Sequence, residues 1–494
     1  MRYVIGVDIG TTSTKAVAYT ETGDVLESAG APCEVFTDAG GMHELEPAQV
    51  FDAVITVLLE VTEHSAAPED VVAVSFSCAM HSLILVDETG KPLTRAFTWA
   101  DRRSEPYAAM LRNSDAGRRI YRQTGVPNHA MSPLSKLLWL KATRSDLFSR
   151  AARFISLKEY VWWRFFGKYR VDYSIASATG LLDIRSRGWN EESLALSGIR
   201  PKQLSELVSC EHRETALLAP WRSLGFPEGT PFVIGGSDGC LANLGSGAVR
   251  VGETALTIGT SGAVRMAVPA PETDAGERLF SYILSEELYI CGGATNNGGN
   301  AVQWYADLVF GKGRWDIAAL DRLVAEADSV APGCEGLIFL PYLLGERAPI
   351  WNAEATGVFF GVRSNHEQRH FMRAVLEGVS YSLRQIGASL EETIGPIRQI
   401  HASGGFIRSA SWLQMIADVF FKKVLVMGAA DASATGAAML GWKAIGVFND
   451  LETAAGLARP AAEYEPDAGR HSAYEKNYRL FTQLYERLKD LMPG

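Results

Sequence analysis

The sequence predicts an α/β protein built as two similar halves around a shared cleft. Three observations carry this reading. The chain has 494 residues, too many for one hydrophobic core. Its opening stretch, residues 3–15, is a β-rich apolar run with a lone carboxylate, Asp8, near its end; it then turns through Gly10, Thr11, Thr12 and Ser13 to Lys15. The same grammar recurs almost half a chain later in residues 256–267, where Ile258-Gly259-Thr260-Ser261 lines up with Ile9-Gly10-Thr11-Thr12.

Each part of the motif has a physical reason. A buried strand rarely carries an unpaired carboxylate, because desolvating it is costly. Where a strand leaves the core, the same carboxylate can face a cleft and hold a metal ion. Gly10 lets the backbone turn tightly near a ligand. Hydroxyls and backbone N–H groups of such a turn donate to phosphate oxygens, and Lys15 adds positive charge. Either copy alone is equally an ordinary hairpin with a polar turn. Two copies facing one cleft fit a nucleotide polyphosphate gripped from both sides.

Composition bounds the rest. Apolar residues make up 47% of the chain, ordinary for a globular protein, and the net charge of −10 argues against a general nucleic-acid binder. The six cysteines are scattered without a CxxC pair, as in a reduced, cytoplasmic protein. No leader of the signal-peptide type is expected and no apolar run is long enough to span a bilayer, so no membrane partner is expected.

The elements follow in order. Residues 16–20 and 25–27 extend the first strand into a meander. An amphipathic helix opens near Glu46-Pro47 and runs through Val50, Val54, Val57, Leu58 and Val61. Residues 71–76 are a continuous apolar strand of the parallel-sheet type. Short strands at 83–86 and 96–98 follow, with Met80 and His81 between the first two of these and Trp99, Asp101, Arg102 and Arg103 after the last. Loops at the carboxyl ends of such strands bind ligands. Singly, His81 reads as a core histidine and the arginines as a solvated loop; together the group suggests a polar-substrate pocket.

Residues 105–230 read as mostly helical, with 134–140 and 157–166 the clearest stretches. The small polar segment 172–180 is expected to line a ligand cleft. At 232–239 an apolar strand runs into Gly235-Gly236 and then Asp238, a carboxylate placed to accept a proton, or equally an Asx turn.

The second half opens near Gly252. A Gly/Asn-rich loop at 292–300 precedes a helix at 301–310, and its Gly299, with Gln303, would approach a nucleotide. A strand at 337–340 leads to the loop 341–349, and a long helix covers 367–390. Residues 400–406 form a strand ending in Gly404-Gly405, before a helix at 411–420. A small-residue helix opens at 430–438, and a loop from residue 463 leads into a last amphipathic helix. No G-x-x-x-x-G-K-[ST] occurs, which excludes a P-loop. His366-Glu-Gln-Arg-His370 matches the H-E-x-x-H zinc pattern but has no obvious third ligand.

These residues resemble the actin, heat-shock ATPase and sugar kinase superfamily, and within it the FGGY carbohydrate kinase family, over essentially the whole chain. Gly357-Val-Phe-Phe-Gly-Val362, seven further residues and His370-Phe-Met-Arg-Ala-Val-Leu-Glu377 fit the family's C-terminal signature. Residues 131–140 fit its N-terminal signature, which departs at Ala142. The resemblance implies two RNase H-like domains, 1–248 on the substrate side and 249–494 on the nucleotide side.

It also implies ATP and Mg²⁺, with Asp238 as catalytic base and Asp8 as the metal-associated carboxylate, acting through water. Thr11, Thr12, Ser13, Lys15, Gly259 and Thr260 would face phosphate. Gly299, Gln303, Gly404 and Gly405 would form the nucleotide side, with Ser409 where some members carry asparagine. Met80 and His81 match the sugar-contacting dipeptide of xylulokinases, although Ser82 replaces the usual glycine.

Residues 75–83, 98–104 and 172–180 are similar to the gluconokinase subgroup, which implies a sugar acid, D-gluconate, as substrate. Arg102 and Arg103 are the cations expected to meet its carboxylate, unless both bridge to carboxylates of the first domain. A kinase for a neutral ketose such as D-xylulose competes, and behind it a chaperone-like ATPase. Whether the chain forms a homodimer stays open.

Overall fold

The computed structural model describes residues 2–64, 68–428 and 431–492. Two mixed sheets carry the architecture. In the first, β1 (Tyr3–Ile9), β2 (Ser13–Thr20) and β3 (Val25–Pro32) form an antiparallel meander. β4 (Val71–Cys78) lies parallel to β1. β5 (Arg213–Glu214) is antiparallel to β6 (Phe232–Ser237), which is parallel to β4, giving the order β5-β6-β4-β1-β2-β3.

The second sheet repeats the plan. β7 (Glu253–Ile258) and β8 (Gly262–Val268) form the hairpin, which β9 (Phe280–Ser285) and β10 (Leu288–Thr295) extend. β11 (Gln399–Ser403) and β12 (Lys423–Met427) run parallel to β7, and β13 (Pro460–Tyr464) closes the edge. The order is β9-β10-β8-β7-β11-β12-β13. The internal similarity of the two turns is therefore a similarity of whole sheets.

Sequence chemistry explains the elements that position the cleft. β1 and β4 are buried over almost their whole length, as continuous apolar runs in the middle of a sheet must be. Helix α1 (Pro47–His64) buries Val50, Val54, Val57, Leu58 and Val61 against the meander. Helix α2 (Asp238–Gly245) begins directly where β6 ends. Later come α3 (Gly299–Phe310), α4 (Gln368–Thr393), α5 (Ala410–Phe420), α6 (Ala432–Ala444) and α7 (Ala468–Leu488).

Helix α6 ties the two halves together. It comes from the second half yet packs on α2 and β1 of the first. Glycines permit this approach. A Cβ on Gly436 would lie 1.9 Å from the Leu241 carbonyl oxygen, one on Gly245 1.9 Å from that of Ala432, and one on Gly6 2.1 Å from that of Ala434. Asp431 caps the helix by accepting the Ala434 N–H at 3.1 Å; Ala430 lies outside the described residues.

Several expectations are corrected. Residues 292–295 belong to strand β10 rather than a loop, and the stretch from Pro460 to Tyr464 is an edge strand. Both segments find a neighbouring strand for their backbone groups, which a local reading does not reveal. The segment 172–180 does not line the cleft. Asp172 caps a short helix, Tyr173–Ser177, and forms a buried 2.7 Å ion pair with Lys158. The Ser174 and Ser237 hydroxyls pair at 2.9 Å, so the segment braces the end of β6 from behind.

The zinc pattern is a helix start. His370 Nδ1 accepts the Glu367 N–H at 3.0 Å and His366 Nδ1 the Arg363 N–H at 3.1 Å. Among the described residues no group of three or more His, Cys, Asp or Glu is arranged to hold a metal directly. No helix among them is long and apolar enough to cross a membrane.

Candidate active site

Asp8 stands beside Ser77 on the neighbouring parallel strand, and the Ser77 hydroxyl donates to its Oδ1 at 2.6 Å. On the other side its cross-strand neighbour is Lys15, whose Nζ donates to Asp431 at 3.0 Å. Burial, then the charges of Asp431 and Asp238, push the Asp8 carboxyl up to about 7. Three carboxylates thus converge with one lysine among them. This donor set fits a hydrated divalent cation, which would relieve the crowding without direct three-point ligation.

Asp238 opens α2 and accepts the Gly239 N–H at 2.8 Å. Burial raises its pKa, and the positive charge of Arg265 opposes the rise. Its carboxylate faces a cavity of about 250 Å³ whose walls include Met80, His81, Trp99, Arg265, Tyr282 and Arg347. The walls come from both halves of the chain.

His81 holds a left-handed backbone, φ 69°. Its Nδ1 donates to the Ala178 carbonyl at 2.7 Å, which leaves Nε2 as an acceptor 3.4 Å from the Tyr282 hydroxyl. Burial, then the Lys136 charge, push its pKa down to about 3, so it is neutral at physiological pH. Lys136 fixes the backbone there by donating to the His81 carbonyl at 2.9 Å.

A second cavity, about 520 Å³, adjoins the first; Trp99, Ser261 and Arg347 line both. Thr11 and Thr12 from the first turn and Thr260 and Ser261 from the second line it together. Both turns are tight: the Gly10 N–H donates to the Ser13 carbonyl at 3.1 Å and the Gly259 N–H to the Ser261 carbonyl at 2.9 Å. Trp99 bridges the cavities, its Nε1 donating to Thr11 Oγ1 at 3.1 Å.

The remaining expected residues lie elsewhere. Ser13 starts β2 beside the turn, and the side chain of Lys15 is half exposed on Asp431. Gly299 begins α3, with its N–H on the Gly259 carbonyl at 2.8 Å, and Gln303 is exposed one turn on. Gly404 and Gly405 follow β11; Gly404 has φ +99° and passes so near β7 that a Cβ would lie 2.5 Å from the Ile258 carbonyl oxygen. Ser409 caps α5 by accepting the Trp412 N–H at 3.3 Å.

The two expected arginines separate. Arg102 is exposed and lines the second cavity. Arg103 turns away from both, donating to buried Asp101 and to Glu44 at 2.5 Å. Asp101 also accepts the His43 N–H at 3.0 Å and braces the loop.

The cations that face the first cavity are instead Arg265, in the middle of β8, and Arg347, in the loop after residue 340. Local reading misses both, although an arginine within an otherwise apolar strand is itself a signal. Glu346 fixes the loop: it accepts the Thr295 hydroxyl at 2.5 Å and the N–H groups of Asn296 and Arg347 at 2.7 Å each.

Comparison with known proteins agrees with this geometry. Residues 3–245 match the N-terminal domain and residues 254–445 the C-terminal domain of the FGGY family of carbohydrate kinases. A gluconokinase of Bacillus subtilis is 39% identical, with 99% of this chain and 96% of that protein covered. A xylulose kinase of Lactococcus lactis is 30% identical, with 99% and 98% covered. The crystal structure of a gluconate kinase from Lactobacillus acidophilus superposes with a TM-score of 0.94 at 32% identity, covering 99% of this chain and 98% of that one. With paired turns, a cleft carboxylate and end-to-end matches in both halves, the chain belongs to the FGGY family of carbohydrate kinases and is a phosphotransferase with an alcohol group as acceptor.

Proposed function

We propose that the protein is a gluconokinase, transferring the γ-phosphoryl group of ATP to the terminal hydroxyl of D-gluconate to give 6-phospho-D-gluconate. The observation that carries this reading is the 39% identity to a gluconokinase over nearly the whole chain. The first cavity supports it, because two guanidinium groups face a space beside Asp238. Residues 1–248 and 249–494 would form two domains, the first supplying Asp238 and the second most of the nucleotide contacts.

Asp238 takes the proton of the hydroxyl as its oxygen attacks phosphorus. The new O–P bond forms as the bond to the leaving diphosphate breaks. Asp8 would hold Mg²⁺ through water, and the ion would neutralise phosphate charge. Thr11, Thr12, Ser13, Gly259 and Thr260 hold the phosphate chain from two sides, since phosphoryl transfer depends mainly on positioning and electrostatics. His81, neutral, offers Nε2 and the Tyr282 hydroxyl to the polyol chain. Gly299, Gln303, Gly404, Gly405 and Ser409 border the nucleotide. Trp99 links the two cavities, so that filling one bears on the other.

A kinase for D-xylulose is the second reading, favoured by the 30% identity to a xylulose kinase. A coupled assay over sugars and sugar acids separates them. Gluconate is expected to exceed D-xylulose at least tenfold in kcat/KM, and the reverse order overturns the reading.

A further inference from the structure

Arg265 and Arg347 present a charge problem that the catalytic scheme leaves unsolved. Both guanidinium groups stand in the wall of the first cavity, Arg347 buried and Arg265 partly so. The buried Nη1 of Arg265 and Nε of Arg347 have no hydrogen-bond partner. Arg347 does spend Nη2 on the Thr295 carbonyl at 3.1 Å and lies over the Trp99 ring, 4.8 Å from its centroid. Among the described residues, no ion pair joins either arginine to Asp238 or to any other carboxylate. Burial lowers the pKa of both; the Asp238 charge, with that of Glu346 beside Arg347, opposes the fall without closing an ion pair. A buried unpaired donor costs free energy, and an unpaired buried charge more. Two guanidinium groups and one carboxylate, that of Asp238, line the cavity, which is therefore one anion short.

Two anions are available to this reaction: the transferring phosphoryl group and a carboxylate on the acceptor. Thr11 and Thr12 of the first turn line only the second cavity, the second turn touches both, and Arg347 borders both. Arg265 borders only the first, among Met80, Phe280 and Tyr282; Thr11, Thr12 and Thr260 do not line that cavity, whereas Gly259 and Ser261 do. Its side chain lies across Gly292, where a Cβ would stand 3.0 Å from Arg265 Cγ, so the neighbouring strand leaves it room.

We propose that Arg265, with Arg347 beside it, binds the carboxylate of the sugar-acid substrate and sets the preference for acids over neutral polyols. This rests on the gluconokinase reading and adds to it the residues that read the charge.

Binding is measured by calorimetry without nucleotide, so that no phosphoryl group is present. D-gluconate and its neutral isostere D-gluconamide are compared on the wild type, Arg265→Gln and Arg347→Gln, with ATP affinity as the check on folding. The wild type is expected to favour gluconate over gluconamide by about tenfold or more, since one charge-assisted hydrogen bond is at stake. In Arg265→Gln that preference is expected to collapse to within about twofold, with ATP affinity kept.

Equal binding of the two ligands by the wild type overturns the proposal, and needs no variant to fold. So does a preference that survives in both variants while kcat falls, which would assign the arginines to the phosphoryl group. A wild type that neither binds nor phosphorylates gluconate overturns the gluconokinase reading itself, a different result from either.

Discussion

Asp8 and Thr257 occupy the same position in two copies of one structure. Each immediately precedes the Ile-Gly-Thr step of its turn, and each bonds a serine on the adjacent parallel strand. The partners are Ser77 for Asp8, at 2.6 Å, and Ser403 for Thr257, at 3.0 Å. The hydroxyl-to-neighbour contact is thus common to both sheets, whereas the carboxylate exists in one. A neutral residue satisfies the fold there, so the charge of Asp8 answers to function.

Asp8→Asn is expected to stabilise the ligand-free, metal-free protein at pH 8 while lowering kcat. The folded-state pKa of Asp8, about 7, lies above the unfolded value, so the folded protein loses stability as pH rises through about 4 to 7. Asparagine cannot ionise and keeps an acceptor for Ser77. The ceiling on the gain is ~4 kcal/mol, from three pKa units at about 1.36 kcal/mol each. Thermal midpoints of both proteins across pH 5–8 test this: the gap should widen upward in pH, and a constant gap rules the account out.

What the sequence reveals follows from how local each signal is. Asp8, the two Gly-Thr turns and the β6–α2 junction at Asp238 are legible because strand, glycine and carboxylate stand within a few residues of each other. Arg265 and Arg347 are not, since their role depends on strand β8 and the loop after residue 340 meeting over Asp238. Arg103 misleads for the same reason: its partner Glu44 is 59 positions away. The edge strand at Pro460–Tyr464 exists only because β12 offers it a ladder.

Arg103→Met is expected to reduce stability and leave substrate choice intact. The guanidinium closes a partly buried bridge to Asp101 and Glu44, and its loss strands the Asp101 carboxylate, which is 1% exposed. Breaking such a pair costs about 3–5 kcal/mol when fully buried and less here, where Arg103 keeps some exposure. Denaturant unfolding should show the loss, while the gluconate-to-xylulose ratio of kcat/KM stays within about twofold.

Gly436→Ala tests the contact between α6 and α2. The added methyl must displace the Leu241 backbone, and overpacking of this kind costs about 1–3 kcal/mol or more. Because α2 begins with Asp238, kcat should fall together with the melting temperature. A variant with wild-type stability would show that the helices do not approach this closely.

Thr260→Val keeps the shape of the second turn and removes one hydroxyl from the cavity shared with Thr11 and Thr12. If that hydroxyl faces the transferring phosphate, kcat falls while the KM for gluconate changes little, because the interaction is made in the transition state. A change confined to the sugar's KM would place Thr260 on the other ligand.

Asp238→Asn should lower kcat by roughly 10²–10⁴, the usual worth of a general base, with ATP affinity retained. The wild-type pH profile carries a second check. The base works deprotonated, so kcat/KM must fall as pH drops through its pKa. Burial raises that pKa, placing the acid limb above the ordinary aspartate value of about 3.9. The Arg265 charge pulls it back down. Arg265→Gln should therefore move the limb to higher pH, whatever its effect on gluconate binding. An acid limb unmoved by Arg265→Gln, in a variant that still turns over, would mean that the titrating group is not Asp238.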